Sequence, residues 1–324
     1  MRAIQIDRTG GPEVLRVVDV PIGEPGPGEV RVRHHAIGVN FVDTYFRTGH
    51  YPLKLPAILG GEAAGVVEAV GAGVTHVREG DRVAYAAMSQ GSYAEARVLP
   101  ALVVEKLPDA ISFETAAAAM LKGLTVQYLL FRSRAELHAG DAILWHAAAG
   151  GVGQIGCQWA ASLGLTVIAT AGSPEKCALA LQCGATHAID YQREDVVARV
   201  RELTGGRGVS VVFDGVGKDT FERSLDSLAP LGLLLSFGSA SGAVPPVNIG
   251  VLAGKGSLFV SRPTLGTHLR ERATIAAMCA DLFAVITSGK VKIAAPRSYP
   301  LDAAAEAQRS LESRATTGST ILIP

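Results

Sequence analysis

The sequence predicts an α/β protein of two domains, one a compact domain of short strands and the other a doubly wound parallel sheet. Three observations carry that prediction. At 324 residues the chain exceeds one typical core, since single domains run to about 100–200 residues. Its first third breaks into short β-rich runs divided by glycine and proline turns. From Phe113 onward, strand-like runs alternate strictly with helical ones, the pattern of a parallel sheet covered on both faces.

In the first part, RAIQID, EVRVRHHAIGV, GVVEAVGAGV, DRVAYAA and YAEARVL read as strands, with GEPGPGE and REGD as turns between them. Short strands at this spacing suggest a β-barrel or sandwich. VNFVDTYFR (39–47) differs, because it follows a strand and offers Asn40 as N-cap, so a short helix is expected there. FETAAAAMLKGLTVQYLLF is alanine-rich and helical. The alternation then runs strand AILWHAA, helix from Val152, strand LTVIAT, helix PEKCALALQC, strand HAID, helix EDVVARVREL, strand VSVVFD, helix DTFERSLDSL and strand GLLLSFG. SLFVSRP is a further strand, leading into one long helix at about 267–288, then a helix at about 302–313 and a last strand, STILI. These closing pieces are too few for a third domain, and at least part of them should return to the first.

Composition narrows the function. Thirty basic residues balance thirty acidic ones, which argues against a nucleic-acid face, because phosphate binding runs on excess Lys and Arg. The four cysteines include no CxxC pair, so neither a structural zinc site nor a disulfide framework is written; a reduced compartment is implied. No apolar run reaches the roughly 18 residues needed to span a bilayer. MRAIQIDRTGGPEV lacks the apolar core of a signal peptide. A cytoplasmic protein with no membrane partner is expected. The eight histidines form neither HxxxH nor a Cys/His cluster, whereas a catalytic zinc needs three protein ligands. No metal is expected.

AILWHAAAGGVGQIG (142–156) holds Gly151, Gly153 and Gly156 as GxGxxG, directly after an expected strand and opening an expected helix. Gly151 is read as permitting the tight turn, Gly153 as letting backbone approach a pyrophosphate, and Gly156 as letting helix and strand pack closely. The positive helix end then faces the phosphates. The next strand ends ATAGSPEK, so Thr170, Ala171, Gly172 and Ser173 form a tip without an acid. Lys176 follows one turn into the helix. An acid here would bind the ribose hydroxyls of NAD and repel a 2′-phosphate; a hydroxyl with an ammonium favours NADP(H). Glu175 is the counterweight, read as complementing the helix dipole.

The ordered set GVNFVDTY (38–45), EAAGVVEAVGAGV (62–74), EGDRVAY (79–85), AAMLKGLTVQYLL (118–130) and HAAAGGVGQ (146–154) resembles the medium-chain dehydrogenase/reductase superfamily. With SFGSASGAV (236–244), SRPTL (261–265) and LESRATTGSTILIP (311–324), it is similar to the zinc-free, zeta-crystallin-like quinone oxidoreductase branch over essentially the whole chain. The resemblance implies a GroES-like β-barrel catalytic domain (1–122 and 262–324) plus a Rossmann doubly wound parallel-sheet domain (123–261). It also implies a cofactor in the cleft between them and a homodimer formed through the Rossmann domains. Zinc members of the superfamily carry cysteine where Asn40 stands and histidine where Gly61 stands.

Carried onto this chain, the resemblance implies that Asn40, Phe41, Asp43 and Tyr45 lie near the nicotinamide. Gly151, Val152 and Gly153 would hold the pyrophosphate. Gly172, Ser173, Lys176, Tyr191 and Arg314 would surround the 2′-phosphate, and Phe237, Gly238, Arg262 and Thr264 would complete the cleft. Asn40 and Tyr45 are the catalytic candidates, Asn40 orienting a carboxamide or substrate oxygen. Tyr45 either orients the acceptor oxygen or only packs. Glu62 either holds a hydrogen-bond network or makes a structural ion pair.

The implied activity is zinc-independent reduction of a quinone, or another electron-poor acceptor, by NADPH. A quinone needs no Lewis acid to accept electrons, unlike a ketone whose alkoxide must be stabilised. Two other readings stay open: an NADPH-dependent enone or alkenal double-bond reductase, and a non-catalytic NADPH-binding or RNA-binding crystallin-like protein.

Overall fold

The computed structural model describes residues 1–313 and 316–324. The chain divides into two compact units, one of Met1–Leu124, His268–Thr287 and Ile293–Pro324, the other of Thr125–Thr267 and Ser288–Lys292.

The first unit is organised by the strand Glu29–Val39, long enough at 11 residues to serve three partners. Along one side it pairs antiparallel with Glu62–Val70. Its start pairs with Ala96–Pro100 and its end with Thr320–Ile323. Register shifts at Arg31/Val32 and His34/Ala36 bend it, as extra residues in one strand do. Arg82–Ala86 and Val104–Lys106 extend the sheet, and Arg297–Pro300 lies parallel to Thr320–Ile323 at its edge. A second sheet orders Arg16–Asp19, Arg2–Ile6 and Ala57–Ile58.

The core of this unit joins Val30, Val32, Ile37, Val83 and Leu99 to Leu301, Ala304, Ala307 and Leu322. Each large apolar side chain so buried contributes about 1.5–3 kcal/mol, so the C-terminal segment belongs to the unit energetically as well as by pairing. Strand alternation puts His34 inside and His35 outside. The His34 ring is held by the Ala94 carbonyl at 2.7 Å and the Tyr85 hydroxyl at 2.8 Å. Burial lowers its pKa to about 4, so it is neutral and donates from Nδ1.

The second unit carries six parallel strands in the order His187–Asp190, Thr166–Ala171, Ala142–Trp145, Val209–Asp214, Leu228–Ser236, Phe259–Ser261. The order runs outward in both directions from Ala142–Trp145, which makes that strand the topological switch point where open α/β sheets bind ligands. Leu144, Ile168, Ile189, Val212 and Leu234 form its buried centre.

The helix expected at 267–288 is two helices, Leu265–His268 and Arg272–Thr287. The break falls where Leu269 turns inward and is buried, and the chain restarts as Arg272 pairs with Glu105. Four strands had no sequence signal. Arg16–Asp19, Ala57–Ile58, Val104–Lys106 and Arg297–Pro300 are all short edge strands, and an edge tolerates Pro300. Among the described residues, no helix is long and apolar enough to cross a membrane.

Candidate functional site

Each unit gathers part of the expected site. In the second unit, the glycine loop leaves Ala142–Trp145 and enters the helix Gly151–Ser162, with Gly150 at its N-cap. The left-handed residue of this turn is Ala147, at φ 52°. Gly151 instead takes up helical backbone as the first residue of the helix, which moves the tight turn four residues earlier than the motif suggested. A methyl-sized side chain at 147 tolerates φ > 0 at modest cost, leaving the glycines for close approach. A Cβ on Gly153 would lie 2.5 Å from the Ala148 Cα, and one on Gly156 would lie 2.2 Å from the Trp145 ring. No acidic residue stands in the first turn of this helix, so its exposed N–H groups and positive end are available to an anion.

At the next strand end, Ser173 is the N-cap of Pro174–Gln182, and its hydroxyl accepts the Lys176 backbone N–H at 3.3 Å. Tyr191, half-exposed just past His187–Asp190, lies over Gly172; a Cβ on that glycine would meet the Tyr191 hydroxyl at 2.4 Å. Glu175 does more than complement the helix dipole. The Ser173 hydroxyl, followed by its own backbone N–H, holds the Glu175 carboxyl below its ordinary range. The carboxylate therefore sits on the hydroxyl expected to meet the 2′-phosphate. Arg193, which the sequence reading passed over, also acts on Glu175 electrostatically.

At the far side of the switch point, Phe237 N–H donates to the Asp214 carbonyl at 2.9 Å. The backbones of Gly215 and Gly238 cross so tightly that a Cβ on Gly238 would meet the Gly215 carbonyl oxygen at 2.3 Å. The Arg262 guanidinium donates to the carbonyls of Ser236 and Gly238 at 2.7 and 3.0 Å. Its charged group thus shapes the turn. The Thr264 hydroxyl pairs with that of Thr267 at 3.2 Å. Gly151, Gly172, Tyr191, Phe237 and Arg262 all lie just beyond carboxyl ends of parallel strands, so they share one edge of the sheet. Arg314 lies outside the described residues.

In the first unit, the helix Phe41–Thr48 carries Asn40 at its N-cap and Asp43 within its first turn. Asp43 accepts the Asn40 backbone N–H at 2.8 Å and the Tyr93 hydroxyl at 2.9 Å on the same oxygen, Oδ2. Fully buried, it is pushed by desolvation to a pKa of about 7. Below it, Arg47 is 1% exposed and donates to Gln308 at 2.6 Å and to both carboxylate oxygens of Glu312. Gln308 in turn donates to Tyr93 at 3.3 Å.

Above it, Asn40 Nδ2 donates to Glu62 Oε2 at 2.6 Å, and the Leu121 N–H donates to Glu62 Oε1 at 2.6 Å. Lys122 Nζ stands 3.5 Å from Glu62 Oε2. Both expectations for Glu62 therefore hold at once, a network and an ion pair. Gly61 has no space for a metal ligand, because a Cβ there would meet the Ala87 carbonyl oxygen at 2.4 Å. With Asn40 committed to Glu62, these residues do not fit a catalytic zinc. Among the described residues, no group of three or more His, Cys, Asp or Glu could hold a metal ion.

Phe41 and Tyr45 are 6.0 Å apart on one turn, and Tyr45 meets His50 and Tyr51 edge-on at 5.3 Å each. His50 stacks on Tyr51 at 5.3 Å. His50, Tyr51 and Lys122 were not among the residues the sequence singled out, whereas Phe41 and Tyr45 were. The only signal for Lys122 is its isolation as a cation within an apolar helix.

Two family models match: an alcohol dehydrogenase GroES-like domain over residues 26–109 and a zinc-binding dehydrogenase over 151–282. A quinone oxidoreductase of Pseudomonas aeruginosa is 54% identical, covering 100% of this chain and 99% of its own. A 2-haloacrylate reductase of Burkholderia is 42% identical, over 99% and 98%. A solved structure of Escherichia coli quinone oxidoreductase complexed with NADPH is 49% identical, with a TM-score of 0.98 over 100% of both chains.

Proposed function

Since the chain belongs to the zinc-free quinone oxidoreductase branch of the medium-chain dehydrogenase/reductases, with a GroES-like and a Rossmann domain, we propose that it reduces quinones with NADPH. The observation that carries this reading is the full-length likeness to named quinone oxidoreductases, one of them bound to NADPH. The tip formed by Gly172 and Ser173, free of acid in its own residues, agrees with that cofactor.

The residues present fit NADPH. The bare backbone at Gly150 and Gly151 and the acid-free first turn suit a pyrophosphate. Ser173, Lys176 and Tyr191 hold the 2′-phosphate. Asn40, Phe41 and Tyr45 bound the nicotinamide, with Asp43 buried behind them rather than on the surface, and Arg262 fixes the Phe237–Gly238 turn, which Thr264 follows in the chain. When bound, NADPH supplies the reducing equivalents. Asn40 orients polar groups, and the Tyr45–His50–Tyr51 patch offers aromatic faces on which a planar quinone stacks.

The protein acts in the cytoplasm without nucleic acid. It forms a homodimer through Phe259–Ser261, the sheet's edge strand, whose Phe259 and Val260 are 59% and 41% exposed. An uncovered apolar edge invites pairing with a second copy. Phe259→Lys therefore yields monomers in sedimentation, and an unchanged dimer overturns that interface.

A second reading has one observation in its favour. The 42% identical relative is named for 2-haloacrylate, which carries an activated carbon–carbon double bond. Initial rates of NADPH oxidation with 1,4-benzoquinone, 9,10-phenanthrenequinone, 1-octen-3-one and 2-chloroacrylate separate the two. Quinones turn over fastest on the first reading, and near-inert quinones beside a rapid enone reverse the order.

A further inference from the structure

We propose that Glu62 and Lys122 form a buried positioning pair for Asn40, fixing which end of its carboxamide faces the reacting groups. The functional half of this rests on the placement of Asn40 beside the nicotinamide proposed above.

Three chain segments converge to build the pair. Glu62 opens the strand Glu62–Val70, Asn40 follows the neighbouring strand Glu29–Val39, and Lys122 comes from the helix Phe113–Phe131. Asn40, Glu62 and Lys122 are 4%, 0% and 6% exposed. The carboxylate occupies space left by a missing side chain, because a Cβ on Gly38 would lie 2.1 Å from Glu62 Oε2.

The donor pattern dictates orientation. Both Glu62 oxygens receive N–H donors, from Leu121 and from Asn40, which is the pattern of an ionised carboxylate. A carboxylate only accepts, so the amide nitrogen of Asn40 must turn toward it. Its carbonyl oxygen is thereby held on the other side as an acceptor. Desolvation pushes the Glu62 carboxyl up, and Lys122 is first among the groups that pull it back. A pair serving stability alone is a poor use of buried charge, since apolar residues of similar volume do as well or better. Lys122 Nζ has its one close approach among the described residues at Glu62, 3.5 Å away.

Glu62→Gln has the right shape but a single acceptor oxygen. If that oxygen stays on Leu121 N–H, the new amide nitrogen faces Asn40 and turns its carboxamide over. Asn40→Asp alone puts two carboxylates in contact. The double variant Asn40→Asp/Glu62→Gln keeps one negative charge beside Lys122 and again points an oxygen outward. Each single variant should lose on the order of 10²-fold in kcat, the scale of a misplaced orienting group, with KM for the quinone nearly unchanged. The double variant should recover at least about tenfold of that loss.

Lys122→Met tests the other member of the pair. Titratable groups acting on or near Glu62 are Lys122, Asp43 and Tyr85. Without Lys122 the carboxylate takes up a proton as pH falls, so kcat should rise with pH over a range where the wild type is flat.

A cofactor-free readout is the ¹⁵N-asparagine spectrum of the apo protein. One side-chain amide proton of Asn40 should lie downfield in the wild type and lose that shift in Glu62→Gln. An unmoved Asn40 amide, or a double variant no better than either single one, overturns the proposal. If the wild type fails to oxidise NADPH with any quinone, the proposed function falls, and the apo spectra still decide the positioning pair.

Discussion

The two units build their candidate site residues by opposite means. At the carboxyl edge of the parallel sheet, the chain works by subtraction. Gly153, Gly156, Gly172 and Gly238 each stand where a Cβ would strike a neighbour at 2.2–2.5 Å, so backbone and its N–H groups form the surface. Around Asn40 the chain works by addition, burying Asp43, Arg47, Glu62, Lys122 and Gln308 in a connected polar network. The first design holds an anion with fixed backbone dipoles and needs little charge. The second places charges where water cannot screen them, so it is sensitive to protonation state and to loss of any member.

The largest effect that tests this contrast is electrostatic. Asp43 has an ordinary pKa of 3.8 and is raised to about 7 by burial. Its contribution to stability is therefore fully present below about pH 4 and is lost as pH rises through 7. The three-unit difference corresponds to on the order of 4 kcal/mol. Asp43→Asn keeps an acceptor for Tyr93 and Asn40 and cannot ionise. In denaturant titrations its stability relative to the wild type should climb steadily from pH 4 to pH 7 and level off above. His34, lowered to about 4, works in the opposite sense, losing stability as pH falls below 6.5, but it is common to both proteins and cancels. A parallel pH dependence in the two would break the comparison.

Arg47→Met comes next. It strands Glu312 and Gln308 and removes a donor to the Gly10 carbonyl at 3.0 Å. Breaking a buried pair costs roughly 3 kcal/mol here, toward the low end because Glu312 is 32% exposed. The loss should appear in the denaturation midpoint. In the glycine half, Gly153→Ala should cost about 2 kcal/mol by overpacking against Ala148 and weaken NADPH binding together with NADH binding, since both share the pyrophosphate. A cofactor affinity untouched by Gly153→Ala would mean that the helix start does not hold that group.

The same contrast decides what could be read from sequence. The glycine loop, the acid-free tip and the alternation of strands and helices are local in the chain, with spacings set by turn geometry and helical pitch. They were legible. The network was not, because its bonds join residues far apart: Leu121 to Glu62 across 59 positions and Arg47 to Glu312 across 265. Lys122 is a lone cation in an apolar helix with nothing local to mark its partner, and for Glu62 the sequence offered a network or an ion pair without naming either member. Even inside the loop, the residue at φ 52° turned out to be Ala147, since a motif fixes where small residues are needed without saying which one turns left-handed.

The smallest effect lies at a charge placed on the bare tip of the second unit. Lys176→Ala should raise the NADPH dissociation constant about tenfold or more while leaving NADH nearly unchanged, as expected for loss of a charge-assisted phosphate contact. Equal losses for both cofactors would remove Lys176 from the 2′-phosphate. Glu175 tests the same spot with the sign reversed. Its carboxylate holds the Ser173 hydroxyl, so a 2′-phosphate must compete for that donor and sit close to a like charge. Glu175→Gln should tighten NADPH by about threefold, with the gain shrinking as salt rises, because an exposed charge is screened within about 10 Å at 0.1 M. Fluorescence titration of NADPH at two ionic strengths reads this directly. A looser complex after Glu175→Gln would mean that the carboxylate instead orients Ser173 for the phosphate, and that the tip is tuned by a hydrogen bond rather than by repulsion.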